Sequence, residues 1–376
     1  MTYLEITPFD PLIARDGRPF GAGLRMKSLG WFYPSVLSGS LRSMVGKRVD
    51  PSFGGDLPAR LKNIAVAGLV ATHDGSLFFP APRDIAICGK DGRAFAARPC
   101  PVEGGCCLPA GLLPAMLPAD LEDDFKPATP PAFWRCEKMA AWLLNPKGAA
   151  FEIPRASERP SRRLPASGYL DAFEQERRTH VQIDPSTGAA KQERLFETAG
   201  LCFPEGVSIA ARVDPGEFAP QMGELRAVHP FGGERRLAHW STEDRAGAWA
   251  CPGDVRQSLR RVKKGGGIRM VLATPALFDG GWRPGWIDRG WRGVRLTLIG
   301  ACVDRWRPIS GWSLERGMQG PKPARRLVPA GSVYFFRLEG ADGSAGALAD
   351  AWLEAVSDKP EDQRDGFGLA LWGIWS

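Results

Sequence analysis

Apolar and polar positions first alternate at Leu4 to Ile6, which predicts a short strand. Arg15-Asp-Gly-Arg18-Pro19-Phe20 then reads as a turn: Asp-Gly supplies positive φ, Pro19 ends pairing, and two arginines flank it. Pro34 suits the first position of a helix. Behind it Val36, Leu37, Leu41, Met44 and Val45 recur at helical spacing and leave Ser38, Ser40, Arg42 and Ser43 off the apolar stripe. Ile64 to Val70 and Ser76 to Phe79 read as a hairpin joined near Asp74-Gly75. A strand, a helix and a hairpin in that order open a ferredoxin-like unit.

From about Arg98 to Pro165 prolines are frequent and periodicity fades, with Trp134, Trp142 and Leu143 as isolated anchors, so an insertion of loops and short helices is predicted. Thr179 to Ile183 then alternates, Asp184-Pro-Ser-Thr187-Gly188 is a turn, and the return strand includes Leu195 and Phe196. This hairpin, at about 179–198, has a polar tip and a thinly apolar stem, the pattern of one that projects from the core.

Met270 to Ala273, Val294 to Val303 and Val333 to Phe336 read as strands, Leu348, Trp352, Leu353 and Val356 as an amphipathic helix, and Leu369 to Trp375 as a last strand behind the loop Gly366-Phe367-Gly368. Strands, a helix and a final strand make a second unit of the same kind. The expected fold is therefore α+β, with two ferredoxin-like (RRM-type) domains, 1–220 and 221–376, the first carrying the insertion and the protruding hairpin. A chain of 376 residues is long enough for two domains.

Charge adds a partner class. The net charge is +7, and 37 of the 49 basic residues are arginine, whose planar guanidinium suits bidentate phosphate contacts and stacking on bases. Between Ile309 and Leu338 a Gly- and Pro-bearing loop carries Arg316, Lys322, Arg325 and Arg326 against Glu315, a composition able to hold a phosphate backbone or to serve as a solvated surface. From Arg226 to Arg269 ten basic residues, among them Arg235 and Arg236, interleave with Phe231, His239 and Trp240, which fits single-stranded nucleic acid or, again, a solvated face.

Other chemistries find little support. The eight cysteines form no Cys-x-x-Cys pair and no zinc spacing, so neither metal nor cofactor is expected. The N-terminus lacks a secretory pattern and no apolar run approaches membrane-spanning length, which makes cytoplasm the expectation. Gly39 to Arg48 fails as a P-loop by spacing, and Gly21-Ala-Gly23 lacks the third glycine of a dinucleotide fingerprint. Of His73, His180, His229 and His239, none is spaced with a Tyr, Lys or second His as a metal-free ribonuclease requires.

Four motifs together carry a resemblance over nearly the whole chain: Arg15 to Phe20 with Pro34-Ser-Val-Leu-Ser-Gly-Ser-Leu-Arg42; His180-Val-Gln-Ile-Asp184-Pro-Ser-Thr187-Gly188-Ala-Ala with Leu195-Phe196; Ser310-Gly-Trp312 to Tyr334-Phe-Phe; and Gly366-Phe-Gly-Leu-Ala-Leu. In these the chain resembles the RAMP proteins of CRISPR effector complexes, specifically the third-numbered subunit of the type III-B Cmr complex. The resemblance implies two ferredoxin-like domains, a thumb-like hairpin and no catalysis. It also implies a grip on the 5′ tag of the CRISPR RNA (crRNA), against the large cyclase-type subunit and the first backbone RAMP subunit. The thumb, His180 to Phe196 with Thr187 at its tip, would kink the RNA where tag meets guide. Arg15, Arg18, Ser38, Arg42, Arg235, Arg236, Lys322, Arg325 and Arg326 are the candidates for phosphate or sugar contacts, and Gly366, Phe367 and Gly368 for backbone amides that reach the tag, the alternative there being a tight turn. A metal-independent endoribonuclease that processes CRISPR precursor RNA is the rival function.

Overall fold

The computed structural model describes residues 1–15, 28–119, 121, 125–144, 151–153, 168–313, 317 and 319–376. The turn residues after Arg15, with Arg18, Gly21 and Gly23, lie outside them, as do Glu315 and Arg316.

Eight antiparallel strands make the first sheet, in the order Tyr169–Leu170, Phe133–Arg135, Ser76–Pro80, Ala65–His73, Val207–Asp214, Thr2–Pro8, Leu237–Thr242 and Arg226–Pro230. The predicted hairpin forms, and Asp74 and Gly75 both adopt positive φ at its turn. Helix Pro34–Val49 lies on this sheet. Its Leu37, Leu41, Met44 and Val45 meet Leu4, Ile6, Val66, Ile209 and Trp240 in one buried cluster. Lys47 and Arg48 in the last turn complement the negative end of the helix dipole. Ile6 stands opposite Trp240, so strand pairing in the first sheet continues to Thr242, past residue 220. Nothing in local composition marks this, because which sheet a strand joins depends on which edge is open to it.

The second sheet runs Leu296–Cys302, Val333–Leu338, Gly267–Leu272 and Ala370–Trp375, also antiparallel. Its strand Gly267–Leu272 is buried at every position. The predicted amphipathic helix is only Gly346–Asp350; Trp352, Leu353 and Val356 are buried all the same, but the chain turns away with Leu353 at φ 56°.

Trp134, Trp142 and Leu143 are not isolated anchors. Helix Cys136–Leu144 presses on the last strand, where a Cβ at Gly373 would lie 2.7 Å from that of Leu143, and the three side chains join a core that draws on both halves. A buried polar link crosses the same boundary. Asp84, fully buried, accepts hydrogen bonds from Arg269 Nη1 (2.7 Å) and Trp142 Nε1 (2.9 Å), while Arg269 Nη2 donates to the Trp142 carbonyl.

All eight cysteines are free thiols; burial pushes Cys136 and Cys302 up to about 12 and Cys251 up to about 11, which removes the reactive thiolate. Among the described residues no group of three or more His, Cys, Asp or Glu is placed to hold a metal ion, and no helix is long and apolar enough to cross a membrane.

Candidate nucleic-acid interface

Strands Gln175–Ile183 and Ala190–Leu201 form a two-stranded ladder of their own, outside both sheets and bridged at its base to Leu12. Val181, Ile183 and Leu195 on its stem are exposed, as expected of a projecting thumb. The tip is built around Asp184, whose carboxylate accepts the Ser186 hydroxyl (2.6 Å) and amide (2.9 Å) and whose carbonyl accepts the Gly188 amide (2.8 Å). The Ser186 hydroxyl and amide hold the Asp184 carboxyl below its ordinary value. Thr187 at the tip is exposed, its hydroxyl accepting the Ala189 amide at 3.3 Å. His180 stacks on Phe196 with ring centroids 5.1 Å apart and sets Nε2 2.9 Å from the Thr198 hydroxyl, so it stiffens the stem. Lower down, Arg177 pairs with Glu197 at 3.0 Å and Arg178 with Glu176, whereas Arg194 is exposed.

The base of the thumb is stitched to the segment that follows the first strand. Leu12 and Leu201 exchange backbone hydrogen bonds, and the Ser28 hydroxyl donates to the Ala199 carbonyl at 2.6 Å. Here the turn His229 to Arg236 comes close: the Gly233 amide bonds the Ile13 carbonyl at 2.6 Å, and a Cβ at Gly232 would sit 2.4 Å from that oxygen. Exposed Arg15 and Arg235 therefore share one corner with Arg236, whose charge, after the hydrogen bond and charge of Arg178, helps hold the Glu176 carboxyl below its usual range. Phe231 and Trp240, by contrast, are fully buried in the first core. The stacking role read from their spacing is thus corrected: strand alternation turns the Trp240 ring inward, and the Phe231 ring, in the turn that follows Pro230, packs against Phe32 and Trp240.

Segment Ser28–Tyr33 leads from this corner to a second one. Tyr33, Leu277, Ile309, Leu327 and Phe367 form a small buried cluster, with Leu29 against it. It unites the start of helix Pro34–Val49, the Gly366–Gly368 loop and the root of a basic arm. Here helix Pro360–Arg364 and the residue that follows it supply acids. Arg42 forms an ion pair with Asp365 and donates to the Ile64 carbonyl at 2.8 Å; Arg325 grips Asp362, which is 3% exposed, through both terminal nitrogens at 2.7 and 2.8 Å. Both arginines were candidates for phosphate and both are spent on carboxylates. Ser38 is also corrected: it is 1% exposed, one turn before Arg42 on the face turned toward this junction.

The glycine loop does not offer its amides. Gly366 N–H bonds Gln363 O (3.0 Å), Phe367 N–H bonds Asp362 O (3.0 Å) and Gly368 N–H bonds Pro275 O (2.7 Å), with the Phe367 ring 1% exposed. The tight-turn alternative is what the geometry gives. Gly366 is needed for another reason, since a Cβ there would lie 2.6 Å from the carbonyl oxygens of both Val66 and Gly68. The loop lies flat on the first sheet and locks the halves together.

The arm itself runs from Arg307 to Leu327 as two short ladders, Arg307–Ile309 with Arg325–Leu327 and Trp312–Ser313 with Gly320–Pro321. Lys322 and Arg326 are exposed, the latter's guanidinium 4.8 Å from the centre of the Trp306 ring. Trp306 and Trp312 are exposed too, and of these Trp306 went unremarked in the sequence although Arg-Trp-Arg-Pro carries the basic and aromatic alternation that marks such a surface. The structure thus gathers Arg15, Arg235, Arg236 and the thumb at one corner and Ser38, Arg42, Arg325 and the glycine loop at another, with Lys322 and Arg326 on the arm beyond. Arg245 and Arg269 of the basic window pair with Glu5 (2.6 Å) and Asp84 (2.7 Å) instead.

Comparison with known proteins adds a family. The family model described as CRISPR-associated protein (Cas_Cmr3) matches residues 4–375. Among solved structures, a chain of the Type III-B Cmr-beta complex bound to cognate target RNA and AMPPnP is 16% identical, with 89% of this chain and 86% of that chain covered and a TM-score of 0.48. The same complex bound to cognate target RNA gives 16%, the same coverage and 0.47. A chain of the Csm3–Csm4 subcomplex of the type III-A interference complex gives 11%, 91% and 94%, and 0.41. No curated protein matches the sequence.

Proposed function

Because the chain belongs to the CRISPR-associated Cas_Cmr3 family, we propose that it is a non-catalytic RNA-binding subunit of a type III-B CRISPR effector complex and grips the 5′ tag of the crRNA. One observation carries this reading: thumb base, segment Ser28–Tyr33 and arm root are joined end to end, with Arg15 and Arg235 exposed at one end and Lys322 and Arg326 at the other. A strand laid along that line meets guanidinium or ammonium groups at both ends, the electrostatic footprint of a single-stranded nucleic acid site. The large cyclase-type subunit and the first backbone RAMP subunit are the proposed neighbours.

We read each half as a ferredoxin-like unit. Leu237–Thr242, Thr2–Pro8, Val207–Asp214 and Ala65–His73 stand fourth, first, third, second, and so do Ala370–Trp375, Gly267–Leu272, Val333–Leu338 and Leu296–Cys302. Helix Pro34–Val49 makes the first crossover in one half; a loop with the short turn Ile287–Arg289 replaces it in the other. The histidines favour binding over cleavage, because each of three has a structural partner: His73 faces Asp74 at 3.3 Å, His180 is held by Phe196 and Thr198, and His229 lies edge-on to Trp240, where burial and the charges of Lys47 and Arg48 keep its imidazole below the ordinary value.

The test is a salt titration of binding to an unpaired oligoribonucleotide carrying the crRNA tag. Arg326→Ala is expected to reduce the slope of log K against log salt by about 0.7, one phosphate contact on a single strand, while Arg325→Ala leaves the slope unchanged because its charge is already spent on Asp362. The RNA is expected back at full length. An unchanged slope for Arg326→Ala, or RNA recovered in fragments, contradicts the reading.

A further inference from the structure

We propose that Trp306 and Trp312 form a two-rung ladder on which unpaired bases of the bound RNA stack, an inference that rests on the RNA-binding reading above. Trp312 is 65% exposed and Trp306 49%, whereas Trp134, Trp142, Trp240 and Trp372 are wholly buried. A single exposed apolar side chain needs no explanation, but two indoles on one projecting arm do.

In the ladder of Arg307–Ile309 with Arg325–Leu327, Ile309 and Leu327 turn into the arm-root cluster, while Pro308 stands opposite Arg326, whose guanidinium lies over Trp306, so Trp306 is on the outer face; Trp312 opens the second ladder and is the more exposed of the two. The tryptophans therefore face away from the body. Arg326 caps one side of the Trp306 ring at 4.8 Å, so a base arriving on the other side would complete a guanidinium, indole and base stack.

Charge selects RNA rather than protein as the occupant. Arg305, Arg307, Lys322 and Arg326 are all exposed on the arm, and the nearby Asp304 is 3.3 Å from Arg83. Phosphates between stacked bases would answer those cations; an apolar protein surface would leave them buried and unpaired. Gly311, bonded through its carbonyl to the Lys322 amide at 2.7 Å, ties the two strands of the arm below Trp312 and holds the platform in place before RNA arrives.

The experiment uses the full chain and a short unpaired oligoribonucleotide carrying the crRNA tag, intact or with abasic sites. Trp306→Ala and Trp312→Ala are each expected to weaken binding about ten-fold, within the range for one lost base stack, with the salt slope unaltered because no phosphate contact is lost. Phenylalanine at either position restores most of the affinity. Abasic sites opposite the arm cost the wild-type chain a similar factor and cost the alanine variants nothing more, which tests the ladder even where an alanine variant folds poorly. Wild-type affinity in both alanine variants overturns the ladder alone, and if those variants also lose association with the other subunits of the complex, the tryptophans belong to a protein contact. No RNA binding by the wild-type chain overturns both the ladder and the function it rests on.

Discussion

Replacing Gly366 by alanine is expected to lower the melting temperature by on the order of 5–10 °C and to weaken RNA binding by about ten-fold. Two costs add at this position. The backbone has φ 92°, which L side chains rarely adopt, at about 1–3 kcal/mol. The new methyl would also lie 2.6 Å from two carbonyl oxygens of strand Ala65–His73, and backbone cannot yield as a flexible side chain can, so overpacking adds about 1–3 kcal/mol. A displaced loop takes with it Asp365 and Asp362, hence the seats of Arg42 and Arg325, and loosens the join between thumb corner and arm. Gly281→Ala is the control. It carries a similar φ of 78° with nothing within 4 Å of the added Cβ, and should show the first cost only. Equal losses in the two variants would refute the locking role of the glycine loop.

Arg269→Met is expected to destabilise the chain by about 3–5 kcal/mol. Asp84 is fully buried, and without Arg269 its carboxylate keeps, among the described residues, the Trp142 indole as its side-chain hydrogen-bond donor. Adding Asp84→Asn should recover most of the loss, because a neutral amide oxygen still accepts from Trp142 and the buried charge is gone. The double-mutant cycle by chemical denaturation measures the coupling directly, and additive losses would show that the pair does not hold the insertion to the second sheet. The side chains of the pair hydrogen-bond each other and Trp142, within the core rather than at the thumb corner. RNA affinity per folded molecule is therefore expected to stay at the wild-type value.

Local signals in the sequence carried the elements well. Strand alternation at Leu4 to Ile6, the Asp74-Gly75 turn, the thumb with its Asp184 to Gly188 tip and the last strand all depend on residues close in the chain, where pattern and turn chemistry act. What could not be read depends on distant partners. Arg42 and Arg325 look like free phosphate ligands until Asp365 and Asp362 arrive from the far end of the chain, and no spacing rule connects residue 42 with residue 365. Ser38 is off the apolar stripe by helical periodicity, yet it is 1% exposed, one turn before Arg42, whose partner Asp365 comes from the other half. Phe231 and Trp240 sit among basic residues in sequence, but strand alternation gives the Trp240 ring to the core, and the turn after Pro230 folds the Phe231 ring onto it and onto Phe32. The glycines of 366–368 were legible as special; whether they served close approach to RNA or to a strand needed the third dimension.

The central claim is that one unpaired RNA strand lies from the thumb across Ser28–Tyr33 to the arm. Crosslinking the RNA to this chain inside its native assembly, nucleotide by nucleotide, tests it most directly. Adducts are expected on the thumb between His180 and Phe196, near Arg15 and Arg235, and on the arm between Trp306 and Arg326, in an order that follows the RNA. Adducts confined to the loop Pro109–Leu112 and the neighbouring Trp282–Asp288, or none on this chain at all, would contradict it.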